Sequence, residues 1–418
     1  MKTMKKLLAV ALCLMLCLSL AVTAFAANND PYPADSSGFV KVLNISNQID
    51  DTGLDFEFSF AANTADSTDG AAAESFSVKL VSAGSSMTGD DVKKMTVSGD
   101  QQSGYWKINE LFPATSDGKL AHGINHAGTW AFTVTESTAG FDERVLSTST
   151  TSGGATKTVY EKLAVDSTSY TLLLDVINGT DGKLAIDGVI VKVDNEKKDP
   201  TITETPATPG SDGTDGGNRW TSGFEFANTY TQRVNVIPGP NPAEGAMSLT
   251  KSVVTENQAQ VGDRGDKTLA FQFTMTVTVP ESSGLTSVPA TIVRDTEQPI
   301  IAPDGVTLAD SVTFTPGTAA TFYLSDSDTL VFESLPVGAG FEISEADYSA
   351  KNYAGVIDNA KDYINATDDF DVTCTNTYTP TPPTGIVVNN LPFALIVVLA
   401  LSGMAVYFVS NRRKAEEN

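Results

Sequence analysis

Two lysines, two glutamates and two asparagines occupy positions where an alternating strand would turn them into its apolar face. In FEFANTYTQR (224–233), Asn228 keeps phase with Phe224, Phe226 and Tyr230; in VTCTNTYTPT (372–381), Asn376 keeps phase with Val372, Cys374 and Tyr378. Lys251 shares a face with Leu249 and Val253 while Ser248, Thr250 and Ser252 take the other. Lys41 falls in with Phe39 and Leu43, although Val40 and Val42 make its opposite face apolar as well. Glu136 follows Trp130, Phe132 and Val134 in phase, and Glu345 follows Phe341 and Ile343. Lys79 in SFSVKLV is out of phase with Val78 and Leu80, as a solvated lysine should be.

An inward lysine and an inward glutamate must either pair or lose their charges, because separated charges in a core are costly. Desolvation lowers the amine pKa and raises that of the carboxyl, so one proton transfer leaves a neutral amine beside a neutral acid. The amine is then a nucleophile. Held against an asparagine carboxamide carbon, it can attack, while the acid hydrogen-bonds the developing oxyanion and relays protons to departing ammonia. The product is an isopeptide bond, formed without cofactor or external enzyme and protected from water by burial. The same phases also fit a plain salt bridge near each domain end with an asparagine bonded to a turn.

The elements that must position these groups read as strands. GFVKVLNI, LDFEFSF, SFSVKLV, TWAFTVTE, AFQFTMTVTV and DTLVFESL alternate apolar and polar residues, with Gly, Ser, Asn and Asp between them, and no amphipathic helical period of useful length appears. This pattern predicts an all-β chain of two tandem immunoglobulin-like β-sandwich domains. The joint is VIPGPNPAEGA (236–246), which divides the chain into domains at 27–237 and 238–380. A low-complexity stretch, 201–217, is expected to form a long exposed loop. The two halves echo each other: each presents a lysine strand, an aromatic strand, a strand ending in glutamate, and a closing Asn-Thr-Tyr-Thr, so the order Lys, Glu, Asn recurs.

The ends place the chain outside the cell. Residues 1–26 carry Lys2, Lys5 and Lys6, an apolar run, and a small-residue cleavage site ending at Ala26, the pattern of a secretory signal peptide. Residues 391–409 are apolar and long enough to span a bilayer, and the tail 410–418 opens with Arg412, Arg413 and Lys414, which favour the cytoplasmic side. Directly before the span stands TPPTG, 381–385. A formal charge of −24 makes nucleic acid an unsuitable partner. Cys13 and Cys17 lie in the leader, so Cys374 is the single cysteine of the exported chain and no internal disulfide can form.

With leader, closing NTY strands, TPPTG motif, span and basic tail in view, the chain resembles Gram-positive sortase-anchored pilins and wall adhesins, specifically the streptococcal pilin isopeptide-linkage domain family. The resemblance covers nearly the whole chain. It implies that a first-strand lysine joins a last-strand asparagine with help from a central-strand glutamate: Lys41, Glu136 and Asn228 in the first domain, Lys251, Glu345 and Asn376 in the second. It implies cleavage by sortase between Thr384 and Gly385, although the common motif begins with leucine and this one with Thr381. Peptidoglycan or other pilin subunits would be the acceptors. Backbone pilins supply an acceptor lysine near the domain joint, which VIPGPN lacks; Lys192, Lys197 and Lys198 are the candidates here. The rival reading is a monomeric wall-anchored adhesin that presents first-domain insertions to a host or bacterial ligand.

Other signals are weaker. His122 and His126 in HGINH share no helical face and have no third ligand in sequence, so no metal is expected. RGD at 264–266 lies in a charged loop, and DSTDG and NATDDFD lack full calcium-loop spacing. No nucleophile-elbow pattern supports a hydrolase, and no multiple-turnover activity is expected.

Overall fold

The computed structural model describes residues 30–380, apart from 52, 69–72, 152, 207–217, 239–242, 257–264 and 295–299, together with a helical stretch at 396–402 and 404. Ala26, the TPPTG motif with Thr384 and Gly385, most of 391–409 and the basic tail lie outside the described residues. Among the described residues, no helix is long and apolar enough to cross a membrane.

Strands dominate, and they form two pairs of sheets plus one small hairpin. In the first pair, one sheet runs in the order Thr96–Ser98, Gln101–Lys107, Gly38–Asn44, Glu225–Ile237, Thr156–Ala164, Phe141–Thr150. Its companion runs Glu196–Lys198, Leu184–Val193, Ser169–Asn178, Gly128–Glu136, Asp55–Ala62, Phe76–Val81, Val92–Lys94. In the second pair, the larger sheet runs Ser311–Phe314, Val288–Val293, Thr329–Phe332, Met247–Thr255, Asp371–Tyr378, Tyr353–Ile357. The smaller runs Ala319–Leu324, Phe271–Thr278, Gly340–Glu345, Lys361–Tyr363. Period-two burial in Asp55–Ala62 and Phe271–Thr278 shows why: one face of each strand is wholly apolar and can be removed from water only against another sheet.

One pairing recurs and matters most for the site. The first strand of each sheet pair lies parallel to its last: Gly38–Asn44 beside Glu225–Ile237, and Met247–Thr255 beside Asp371–Tyr378. Parallel neighbours need a long crossover, and here nearly all the other strands of each sheet pair lie between them in sequence.

Two details differ from the sequence expectation. Residues 201–217 are not simply an exposed loop: Thr203–Pro206 pairs with Asn218–Thr221 as a hairpin. That hairpin covers the outer face of the first lysine strand, with Ile202 against Gly38 and the Trp220 ring 4.5 Å from Tyr105, the residue paired with Val40. Val40 and Val42 are therefore buried, and the blurred alternation of that strand reflects burial on both faces. Secondly, the apolar run 329–336 is not one strand. Thr329–Phe332 pairs with the second lysine strand, whereas Ser334–Pro336 crosses to pair with Arg233–Asn235 at the far end of Glu225–Ile237. The strand that carries Asn228 thus also ties the two sheet pairs together. Lys157 adds to that tie by donating to the Asp368 carbonyl and lying 3.3 Å from the Asp369 carboxylate.

Candidate functional site

Each sheet pair brings one predicted Lys, Glu and Asn together in its interior. Lys41, Asn228, Lys251 and Asn376 are all fully buried, at 0% exposure. The lysine and asparagine come from adjacent parallel strands in one sheet, and the glutamate reaches across from a strand of the facing sheet.

The register is the same twice. Lys41 is level with Phe226 and Leu43 with Asn228; Lys251 is level with Cys374 and Val253 with Asn376. In both pairs the asparagine therefore stands two residues beyond the lysine's own partner. A two-residue step keeps it on the same face, which is why the phase read from sequence survives folding. The long lysine stem then spans the diagonal.

In the first trio, Glu136 holds both partners. Lys41 Nζ donates to Oε2 at 2.8 Å, and Asn228 Nδ2 donates to Oε1 at 2.6 Å. The amide's other end is fixed too, because Asn228 Oδ1 accepts the backbone N–H of Asp166 at 2.8 Å. The surroundings are aromatic, with Lys41 Nζ 4.7 Å from the centre of the Phe56 ring and 6.0 Å from that of Phe58. Burial pushes the Lys41 ammonium down from 10.5 to about 8, against the opposing pull of Glu136. Burial likewise raises the Glu136 carboxyl, with Lys41 opposing. The two shifts converge, which lowers the cost of moving the shared proton from nitrogen to oxygen.

The second trio is looser. Glu345 Oε1 faces both Lys251 Nζ at 3.4 Å and Asn376 Nδ2 at 3.2 Å. Lys251 Nζ also donates to the carbonyls of Ser252 at 3.1 Å and Cys374 at 3.3 Å, and it lies 4.5 Å from the Phe271 ring centre. Burial lowers the Lys251 pKa and raises that of Glu345, as in the first trio. Cys374 sits between them, its Sγ 3.8 Å from Lys251 Nζ and 4.0 Å from Asn376 Oδ1. Its thiol is pushed up to about 12 by burial, so it remains protonated and does not compete as a nucleophile.

The sequence named neither of two neighbours of these trios and gave a third, Cys374, no part in them. Asp166 supplies the amide donor just described. Gly355, opposite Asn376 in the ladder, leaves room for the second trio: a Cβ there would stand 2.5 Å from Glu345 Oε2 and 2.7 Å from Asn376 Oδ1. An isolated glycine within a strand is a sign of such close approach and could have flagged it. Cys374 was visible by phase, but its role beside the lysine was not.

The remaining candidates fall elsewhere. His122 stacks on Phe76 at 3.6 Å between ring centres and bonds the Leu111 carbonyl at 3.0 Å, while His126 bonds its neighbour's carbonyl at 2.9 Å. Asp266 spends its carboxylate on Thr268, and Arg264 is outside the described residues. Lys192 is level with Lys197 in the hairpin ladder; Lys197 donates to the Asp30 carbonyl, and Lys198 lies 3.1 Å from Glu196.

Residues 245–378, the stretch of the second trio, match a family described as a domain of unknown function, DUF7601. No curated protein matches the sequence. Among solved structures, the chain is similar to the major pilin of Streptococcus pyogenes, with 15% identity, a TM-score of 0.27, and coverage of 82% of this chain and 99% of that one. A point variant of the same pilin gives 14% identity and a TM-score of 0.29 over the same shares. A Mobiluncus mulieris adhesin containing intramolecular disulfide, isopeptide and ester cross-links gives 10% identity and a TM-score of 0.20, covering 83% of this chain and 100% of that one. Likenesses of this size carry no weight for function; the geometry of the two trios does.

Proposed function

We propose that this chain is a cell-wall-anchored, pilin-like structural subunit whose two domains crosslink themselves through Lys41–Asn228 and Lys251–Asn376 isopeptide bonds. The observation that carries this reading is the repeated register: the same three residue types, buried together, from equivalent strands, in both sheet pairs. A structural salt bridge has no need of a carboxamide on the same carboxylate, whereas a condensation does.

The chemistry follows from the contacts. Transfer of one proton from Lys41 to Glu136 gives a neutral amine. Its lone pair attacks Asn228 Cγ, the new C–N bond forms, and the carboxyl gives its proton to Nδ2, which it already contacts, while taking up the proton that Nζ sheds. Ammonia leaves, and a secondary amide remains. Glu136 is left holding the proton first taken from Lys41 and regains its carboxylate when the departing ammonia takes that proton away as ammonium, so the event is a single turnover on the chain itself. Glu345 would play the same part for Lys251 and Asn376 at its longer distances.

Joining the first strand to the last gives the chain a mechanical property. Tension entering before Lys41 and leaving after Asn376 would pass through two covalent bonds and the strand segments between them. The sheets enclosed by each bond carry none of that load. Such a load path suits a thread on a cell surface, attached by sortase through Thr384 to peptidoglycan or to another subunit. Extraction of wall material tests the assembly: heat-stable covalent ladders support a polymerising pilin, and a single monomeric band supports a wall-anchored adhesin instead.

A further inference from the structure

We infer that the backbone N–H of Asp166 is the oxyanion donor for the first crosslink, and that the Asp166 side chain positions it; this inference rests on the condensation proposed above. The N–H already points at Asn228 Oδ1, at 2.8 Å. That oxygen is where negative charge collects when an amine adds to the carboxamide carbon, and a preorganised donor there stabilises the transition state more than the ground state.

The loop holding this donor is built, not incidental. Asp166 Oδ1 accepts both the N–H and the hydroxyl of Thr168, at 2.8 and 2.5 Å, which closes an Asx turn. Its Oδ2 accepts the N–H of Ala227 at 3.0 Å. Ala227 precedes Asn228, so a single carboxylate staples the loop to the strand beside the reacting residue and aims its own main-chain N–H at that residue's oxygen. With Oδ1 on Asp166 and Nδ2 on Glu136, the two ends of the amide are sorted: the oxygen faces the donor, and the leaving nitrogen faces the proton carrier.

The step balances as follows. Lys41 Nζ bonds to Cγ as the π pair of the carbonyl moves onto Oδ1, where the Asp166 N–H holds it. Glu136 passes the proton released by Nζ to Nδ2. The Cγ–Nδ2 bond breaks, ammonia departs, and the pair on Oδ1 re-forms the carbonyl. In the second trio the corresponding oxygen faces the Cys374 thiol at 4.0 Å, a longer and weaker contact. The first trio should therefore condense faster.

The test uses the full chain carrying Glu345→Ala, so that ammonia loss reports the first trio alone. Intact mass is followed in newly synthesised protein, with a thermal melt to confirm folding. Adding Asp166→Ala is expected to slow the loss at least ten-fold, since deleting an oxyanion donor outright costs about 10²–10³. Adding Asp166→Asn keeps the acceptor that closes the turn but sets an amide NH2 against the Ala227 N–H, so it should condense at a rate between the parent and Asp166→Ala. A folded Asp166→Ala chain that condenses as fast as its parent overturns the inference. So does an Asp166→Asn chain slower than Asp166→Ala, because keeping the turn would then bring no gain. A Glu345→Ala parent that never loses ammonia overturns the condensation itself, and the donor with it.

Discussion

A carboxylate that contacts an amine with one oxygen and an amide nitrogen with the other, as Glu136 does, is placed to move a proton between them. That arrangement sets a pH dependence. The reactive pair holds one proton in total. Below the raised Glu136 pKa it gains a second and the amine is blocked; above about 8, the depressed Lys41 value, it loses the only one and the acid is gone. The rate of ammonia loss from the first domain should therefore be bell-shaped in pH, falling on the alkaline side near 8, well below where an ordinary lysine titrates. A rate still rising at pH 10 would exclude this proton arrangement. In the second domain, Gly355→Ala should block condensation while leaving the first unaffected, because the added methyl lies within 2.7 Å of the Asn376 oxygen and closer still to Glu345. Mapping crosslinked peptides in that variant checks it. Phase showed which way the trio residues point, least clearly for Lys41, and their grouping came from the family resemblance. Asp166 and Gly355 were not legible in the sequence, since one acts through a main-chain N–H and the other through a missing side chain. Neither leaves a hydropathy pattern.

At the level of strands, parallel pairing of first with last would make the proposed crosslink short across the sheet and long along the chain. Closing loops of this length constrains the unfolded state by roughly 5 kcal/mol at most, by analogy with disulfides. Asn228→Ala removes the bond and leaves Lys41 paired with Glu136, so its unfolding free energy should fall by up to about that amount. Its pH response should also change. In the uncrosslinked chain Lys41 titrates near 8 when folded and near 10.5 when unfolded, so the unfolded state holds more protons between those values and stability rises with pH there. Glu136 works in the other direction: its raised folded value means that stability is lost as pH climbs from 4.5 toward that value. The variant is therefore least stable between the two. Wild-type chain, its lysine consumed, should lack the alkaline gain, and denaturant melts of both at pH 7 and 10 would show this. Short alternating runs gave most of these strands correctly. The hairpin at 203–206 and 218–221 escaped notice because Thr, Glu and Pro look like loop, and their strand character comes only from covering Val40 and Val42. The break at Glu333 escaped because one apolar run serves two sheets.

Across the whole molecule, the strand bearing Asn228 runs on to pair with Ser334–Pro336, so the proposed load path would pass directly from one sheet pair to the next. Pulling on the two ends of the folded chain should extend it without releasing residues 42–227 or 252–375. Glu136→Ala or Glu345→Ala should each release one of these enclosed lengths, read as a single added unfolding step in a force-extension trace. An intact chain that unravels fully under load would remove the mechanical reading. Most directly, the mass of the mature chain measures the two condensations together. It should be lighter than its sequence by two molecules of ammonia, with digestion yielding branched peptides that join Lys41 to Asn228 and Lys251 to Asn376. A mass equal to the sequence value, with all four side chains recovered unmodified, would contradict the account.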